Sequence, residues 1–227
     1  MHAIFDSILR TEGYGMRETL RALTIFFVMV LLGAMGLTSV SAQARTVTCV
    51  GLYSETAAGH VSYRVGSGDW TVVAVGDKIP VTADIRVNVD RDWVEVIQTG
   101  VPTKVYEVHG PDTGEVVKKV SDLLKGKGKV VSFPKGTKTN PDPKFKNKLV
   151  VGTYLGRQVY ETPDGDENDI RYGDVLDRKG KVRIIAINNT IELTDATGKV
   201  TKVIGPLTFD VEKVLTGQKL YKYLNAP

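Results

Sequence analysis

Apolar positions along this chain follow two regimes. From Ala22 to Leu37 they run together as ALTIFFVMVLLGAMGL, without a charge; from Arg45 onward they alternate with polar residues over short stretches. Ile85-Arg86-Val87-Asn88-Val89 gives one apolar and one polar face at a period of two, as do Val94-Glu95-Val96 and Ile191-Glu192-Leu193. In that phase Arg86, Arg183, Glu95 and Glu192 all point outward, which leaves an Arg–Glu pair across neighbouring strands open to each region. Val182 to Ile187 is nearly continuous in apolar residues and predicts a strand covered on both faces. Trp70 to Val75 predicts another, closed by Gly76-Asp77. Helical spacing is confined to Gly114–Leu124, at Val116, Val117, Val120, Leu123 and Leu124, with Gly126 as a stop. Phe209 to Leu215 reads as a strand running into one turn, and spacing alone settles neither stretch.

The alternating blocks recur. Gly76-Asp77-Lys78-Ile79 matches Gly173-Asp174-Val175-Leu176 ninety-seven positions on, and Ile85-Arg86-Val87 matches Val182-Arg183-Ile184 at the same offset. Trp93-Val94-Glu95-Val96 then answers Thr190-Ile191-Glu192-Leu193, and Thr103-Lys104-Val105 answers Thr201-Lys202-Val203 at ninety-eight. Last comes GPDTGEVVKKV, Gly110 to Val120, against GPLTFDVEKVL, Gly205 to Leu215. The matched residues are turn formers and packing residues. Gly76 and Gly173 permit positive φ, Asp77 and Asp174 can bond back to the local backbone, and Gly110-Pro111 and Gly205-Pro206 end a strand. The expected fold is mainly β: two tandem small β-sandwich or barrel-like modules, each able to end in a short helix. Residues 45–130 form the first module and 149–227 the second. Between them 131–148 is a Lys/Pro-rich linker, part of a stretch whose prolines and glycines argue against regular structure.

The unbroken apolar run reads as a secretory signal. Arg17 and Arg21 precede it, Ala42-Gln43-Ala44 supplies a small-residue cleavage site, and residues 1–44 would be removed. An uncleaved anchor is the competing reading, and Met16 is an alternative start. Export implies a periplasmic or secreted protein. Cys49 is the single cysteine, so no intramolecular disulfide forms and a buried thiol is expected.

Candidate chemistry is sparse. Beyond the signal only His60 and His109 occur, neither at a metal-ligand spacing; His60 reads as an exposed strand residue and His109 as a solvated turn residue. Asp164-Gly165-Asp166-Glu167-Asn168-Asp169 mimics the start of a calcium loop, but Asp169 replaces the required glycine and Val175 the twelfth-position carboxylate. It reads as an acidic surface loop. Lys125, Lys127, Lys129, Lys135, Lys138, Lys144, Lys146 and Lys148 could contact a protein partner, a peripheral membrane surface or an anionic polymer. The net charge is only +4, and few aromatics flank these lysines, so no nucleic acid is implied. No cofactor motif is present.

Gly59-His60-Val61, Tyr63-Arg64, Trp70, Gly76-Asp77, Ile79, Ile85-Arg86 and Gly110-Pro111 resemble a FecR-type domain, over about Gly59 to Leu124 with a fainter echo from Tyr154 to Leu215. The resemblance implies an extracytoplasmic β-rich module. Some such domains are the periplasmic part of iron-responsive regulators, and many belong to exported proteins. The expected function is therefore non-catalytic: a binding or structural module of the cell envelope that contacts another envelope protein, for instance in a surface assembly such as a flagellar sheath. The alternative is a periplasmic sensor or regulator of a FecR-like signalling system. An enzyme would need a pocket joining Cys49, a histidine or the Asp164 loop.

Overall fold

The computed structural model describes residues 45–53, 60–98 and 103–220; the expected signal lies outside them. The first half runs β1 (Thr46–Tyr53), β2 (Val61–Val65), β3 (Thr71–Val72), β4 (Lys78–Pro80), β5 (Ala83–Val87), β6 (Trp93–Gln98), β7 (Thr103–His109), β8 (Val116–Lys119) and α1 (Val120–Leu123). A bridge follows, with β9 (Lys129–Val131) and a 3-10 turn at Pro143–Phe145. The second half runs β10 (Lys148–Leu155), β11 (Gln158–Glu161), β12 (Glu167–Asp169), β13 (Val175–Asp177), β14 (Lys181–Ile184), β15 (Thr190–Thr194), β16 (Val200–Ile204), β17 (Leu207–Asp210) and α2 (Val211–Leu215). The fold is mainly β with few helical residues.

The antiparallel pairings of the first half recur in the second. β1 pairs with β4 and β6, β2 with β3 and β5, β5 with β8, and β6 with β7. β10 pairs with β13 and β15, β11 with β12 and β14, β14 with β17, and β15 with β16. Even the irregularity recurs: register shifts between Cys49 and Gly51 in the first half and between Val151 and Tyr154 in the second. Each half is a sandwich, with β3-β2-β5-β8 or β12-β11-β14-β17 as its own small sheet.

The other layer is shared. β1 and β10 lie parallel, Gly51 beside Tyr154 and Leu52 beside Leu155, which fuses the halves into a nine-stranded sheet, β16-β15-β10-β1-β6-β7-β9 with β4 and β13 added. Leu52 belongs to the first core, with Val47, Cys49, Ile85 and Val96, whereas Tyr154 belongs to the second, with Val151, Val182 and Leu193. Since successive strand residues face opposite sides, the two cores occupy opposite faces of this sheet. Tyr53 and Trp93 of the first half consequently pack into the second core.

Several sequence expectations are revised. Glu95 does not point to solvent: β6 is covered on both faces and Glu95 is fully buried. The Arg86–Glu95 and Arg183–Glu192 pairs do not form, because β5 and β14 lie in different sheets from β6 and β15. Arg86 instead approaches Glu115 at 3.7 Å, and Arg183 binds Glu167 at 2.9 Å. Val182–Ile187 is not buried on both faces: β14 alternates and stops at Ile184, leaving Ile185 and Ile187 exposed. The strand expected over Trp70–Val75 is reduced to Thr71–Val72. Within Gly114–Leu124 only Val120–Leu123 is helical, the preceding residues pairing with β5. The bridge is not devoid of regular structure, since β9 adds to β7 and Phe145 is buried.

Two sequence matches also lose their register. Glu107 faces Glu95 as Lys202 faces Glu192, so β7 and β16 correspond at ninety-five positions, and the Thr-Lys-Val match at ninety-eight is a three-residue slip. In the final phrase Gly110-Pro111 and Gly205-Pro206 occupy equivalent places, but β8 and α1 correspond to β17 and α2 at ninety-one. Val120, the fully buried first residue of α1, thus answers Val211, and the Thr, Val and Lys identities beyond Gly-Pro come from chance similarity.

Candidate functional site: a buried carboxylate where the two halves meet

The repeated turn residues support the backbone in matching ways. Gly76, at φ 99°, donates its N–H to the Cys49 carbonyl at 2.8 Å, and the Cys49 N–H donates to the Asp77 carbonyl at 2.9 Å. Gly173, at φ 79°, and Asp174 make the same two bonds with Val151, at 2.8 and 2.9 Å. Asp77 Oδ2 accepts the Ala74 N–H at 2.8 Å, and Asp174 Oδ2 the Arg171 N–H at 2.7 Å. Gly110 donates to Asp92 O at 2.7 Å, and Gly205 to Asn189 O at 2.9 Å. A Cβ on Gly110 would stand 1.9 Å from Val89 O, and one on Gly205 2.8 Å from Ala186 O. Pro111 and Pro206 follow these close approaches. The four glycines and two aspartates thus hold the backbone of their turns.

The most unusual chemistry lies at the junction. Glu95 sits on β6 opposite Gly51 of β1 and Glu107 of β7. Its Oε2 accepts the Tyr172 N–H at 2.9 Å, from the β12–β13 turn of the second half, while Oε1 has no donor. Tyr154 also hydrogen-bonds to this carboxylate and receives the Trp93 Nε1–H at 2.8 Å. Tyr154 crosses onto β1 only because residue 51 is glycine: a Cβ there would lie 2.4 Å from its ring. Tyr53 stacks on Trp93 with ring centres 3.5 Å apart, and the Arg171 guanidinium lies 3.4 Å from the Trp93 ring centre. Arg171 Nε is 4.0 Å from Glu107 Oε2, and its Nη1 is buried without a partner. Burial pushes the Glu95 carboxyl up to about 7, helped by Glu107 and opposed by the Tyr154 and Tyr172 donors and by Arg171. Tyr154 is likewise raised, by burial first and then by Glu95. Residue pattern alone does not reveal this cluster, because a Val-Glu-Val alternation normally marks a solvent-facing glutamate.

The eight lysines are not gathered into one site. Lys127 and Lys129 line an open groove of about 600 Å³ with Lys118, Glu107, His109 and Asp122, whereas Lys125, Lys135, Lys138, Lys144, Lys146 and Lys148 are not part of its wall. Lys129 binds Asp174 at 2.7 Å and Lys125 binds Asp122 at 2.6 Å. Lys144 lies 5.3 Å from the Phe145 ring centre. His60 is half-buried, its Nδ1 3.0 Å from Oδ2 of the fully buried Asp92, and not an open strand residue. His109 ends β7 and binds Glu107 at 2.8 Å. Cys49 is buried, and burial, then Asp77, pushes its thiol up to about 12, which leaves little thiolate for nucleophilic chemistry. Asp164–Asp169 forms a hairpin between β11 and β12, closed by Thr162 N–H to Asp166 O at 2.8 Å. Among the described residues no three His, Cys, Asp or Glu side chains converge as metal ligands, and no helix is long and apolar enough to cross a membrane.

The sheet ends differently in its two halves. β9 covers the outer edge of β7, Lys129–Val131 running antiparallel to Thr103–Val105. The counterpart edge, β16, pairs only with β15 among the described residues, and its Val200 and Ile204 are 56% and 49% exposed. No family model, curated protein or solved structure matches the chain.

Proposed function

We propose that this chain is an exported, non-catalytic module of the cell envelope, built by duplication of one FecR-like β unit, that works by binding another envelope protein. The observation that carries the reading is the edge of β16, which carries no further strand among the described residues. A strand edge offers a row of main-chain donors and acceptors, and an extended segment of a partner can extend the sheet there while seating side chains against Val200 and Ile204. β9 on β7 is the same kind of addition made within the chain. Lys202, exposed at the middle of β16, discourages self-pairing, since antiparallel pairing of two copies about this residue would oppose two lysines. The duplication is supported by the recurring pairings, bulges and turn bonds, all of which serve the scaffold. Export is supported by the apolar run and the Ala42-Gln43-Ala44 site.

A photo-crosslinking side chain at Lys202, activated in intact cells, is expected to capture a specific envelope protein, and the same group at Lys104 on the covered β7 edge is not. Ile204→Lys should weaken capture without changing the unfolding midpoint. Equal capture from both positions, or none from Lys202, would overturn the reading.

A further inference from the structure

Glu95 is the one fully buried glutamate among the described residues, and it stands where a turn of one half rests on a strand of the other. Its single backbone donor is the Tyr172 N–H, so it bonds directly across the junction. The groups facing it from each packed element are few. β1 contributes Gly51, its buried Cys49 thiol lying in the first core on the other face, β10 the Tyr154 hydroxyl, β7 the Glu107 carboxylate directly opposite, and the 171–174 turn Arg171 and Tyr172. Arg171 is the one guanidinium shared by the two carboxylates, and of the two only Glu107 is within ion-pair distance of it, at 4.0 Å; Glu107 also binds the His109 imidazole at 2.8 Å. Glu95 Oε1 and Arg171 Nη1 are both buried without partners. Such a site is well suited to a neutral carboxyl and poorly suited to an ionised one, because a buried charge without sufficient donors is costly.

We propose that Glu95 is a proton-controlled latch between the two halves: neutral, it keeps the 171–174 turn seated on β6, and ionised, it loosens that contact. The titration range agrees with the geometry, since the carboxyl is raised from 4.5 to about 7. The sign follows from linkage. A carboxyl raised in the folded state adds no penalty while it is protonated in both states. The penalty grows as pH rises from the unfolded value of 4.5 towards about 7 and is constant above that. The latch is closed on the acid side of neutrality and weakened on the alkaline side. This does not depend on the partner-binding reading above.

Residue-resolved amide exchange on the whole chain tests it, with rates corrected for the intrinsic effect of pH. Exchange at Tyr172 should accelerate on the order of tenfold or more between pH 5.5 and 8.5, about tenfold for each unit of carboxyl shift. Amides of β14, remote from the latch, should change little. Glu95→Gln should make the Tyr172 rate nearly independent of pH. Should that variant fold poorly, Glu107→Gln provides the second arm, because removing the repelling charge should move the midpoint to lower pH. His109→Gln controls for the imidazole bound to Glu107 and should leave a transition in place. A flat wild-type profile, a transition that survives unchanged in Glu95→Gln, or its loss in His109→Gln would each overturn the proposal. Loss of crosslinking at Lys202 has no bearing on these rates, so the two readings fail separately.

Discussion

The two halves use one plan but differ at their margins, and the differences show which features the plan requires. Where backbone meets backbone they agree: the Gly-Asp turn holds the bulged strand by the same two bonds in each, and Gly-Pro seats against the same loop. Surface charge is free to change sign. Arg64 faces Asp84 at 3.6 Å between β2 and β5, and the equivalent pair between β11 and β14 is Glu161 with Lys181 at 3.4 Å, reversed in polarity. The edges differ most, since β7 carries β9 whereas β16 carries no strand among the described residues. Close backbone contact is thus constrained, surface pairing only by complementarity, and the free edge is where the halves can diverge in use.

Mutations at equivalent positions should have matching effects in the two halves. The largest effects should come from Gly110→Ala and Gly205→Ala, each forcing a methyl into a carbonyl of the preceding loop. Each should cost about 3 kcal/mol or more, as overpacking without room to relax does, measured by denaturant unfolding. Unequal costs, one large and one near zero, would break the equivalence. Gly51→Ala should cost about as much by displacing the Tyr154 ring, whereas Val50→Ala on the same bulge should cost only the ordinary loss of a few buried methyl groups. Tyr154→Phe should cost about 1–2 kcal/mol by leaving the Trp93 N–H without an acceptor and Glu95 with the Tyr172 N–H alone, visible as a lower unfolding midpoint and a change in Trp93 emission. At the small end, a double-mutant cycle on Arg64 and Asp84, or on Glu161 and Lys181, should give coupling below about 0.5 kcal/mol, falling with salt, since these pairs are partly exposed.

Much of the scaffold was legible in the sequence because turns and alternation act locally. Gly76-Asp77 and Gly173-Asp174 announce a positive-φ turn whatever surrounds them, and period-two spacing located β5, β6 and β15. The junction was not legible, because it depends on which strand lies beside which. Glu95 is outward with respect to its own module, and only the parallel pairing of β1 with β10 places the second half over that face. Gly51 looked unremarkable for the same reason: its role is set by a Tyr154 ring about a hundred positions away. The three-residue slip at Thr103-Lys104-Val105 shows a further limit. Alternating β sequence resembles itself at many offsets, and hydrogen-bond register alone selects the true one.

The halves are fused through β1 and β10 into one sheet with interlocked cores. The Gly156 amide reports on this directly, because it donates to Leu52 O at 2.7 Å across the junction. In native-state hydrogen exchange on the whole chain at pH 5.5, Gly156 should be as protected as Val96 and Leu193 in the two cores, with all three lost in one cooperative transition as denaturant rises. Rapid exchange at Gly156 with separate transitions for Val96 and Leu193 would mean two independent modules joined by a tether, and would contradict the account.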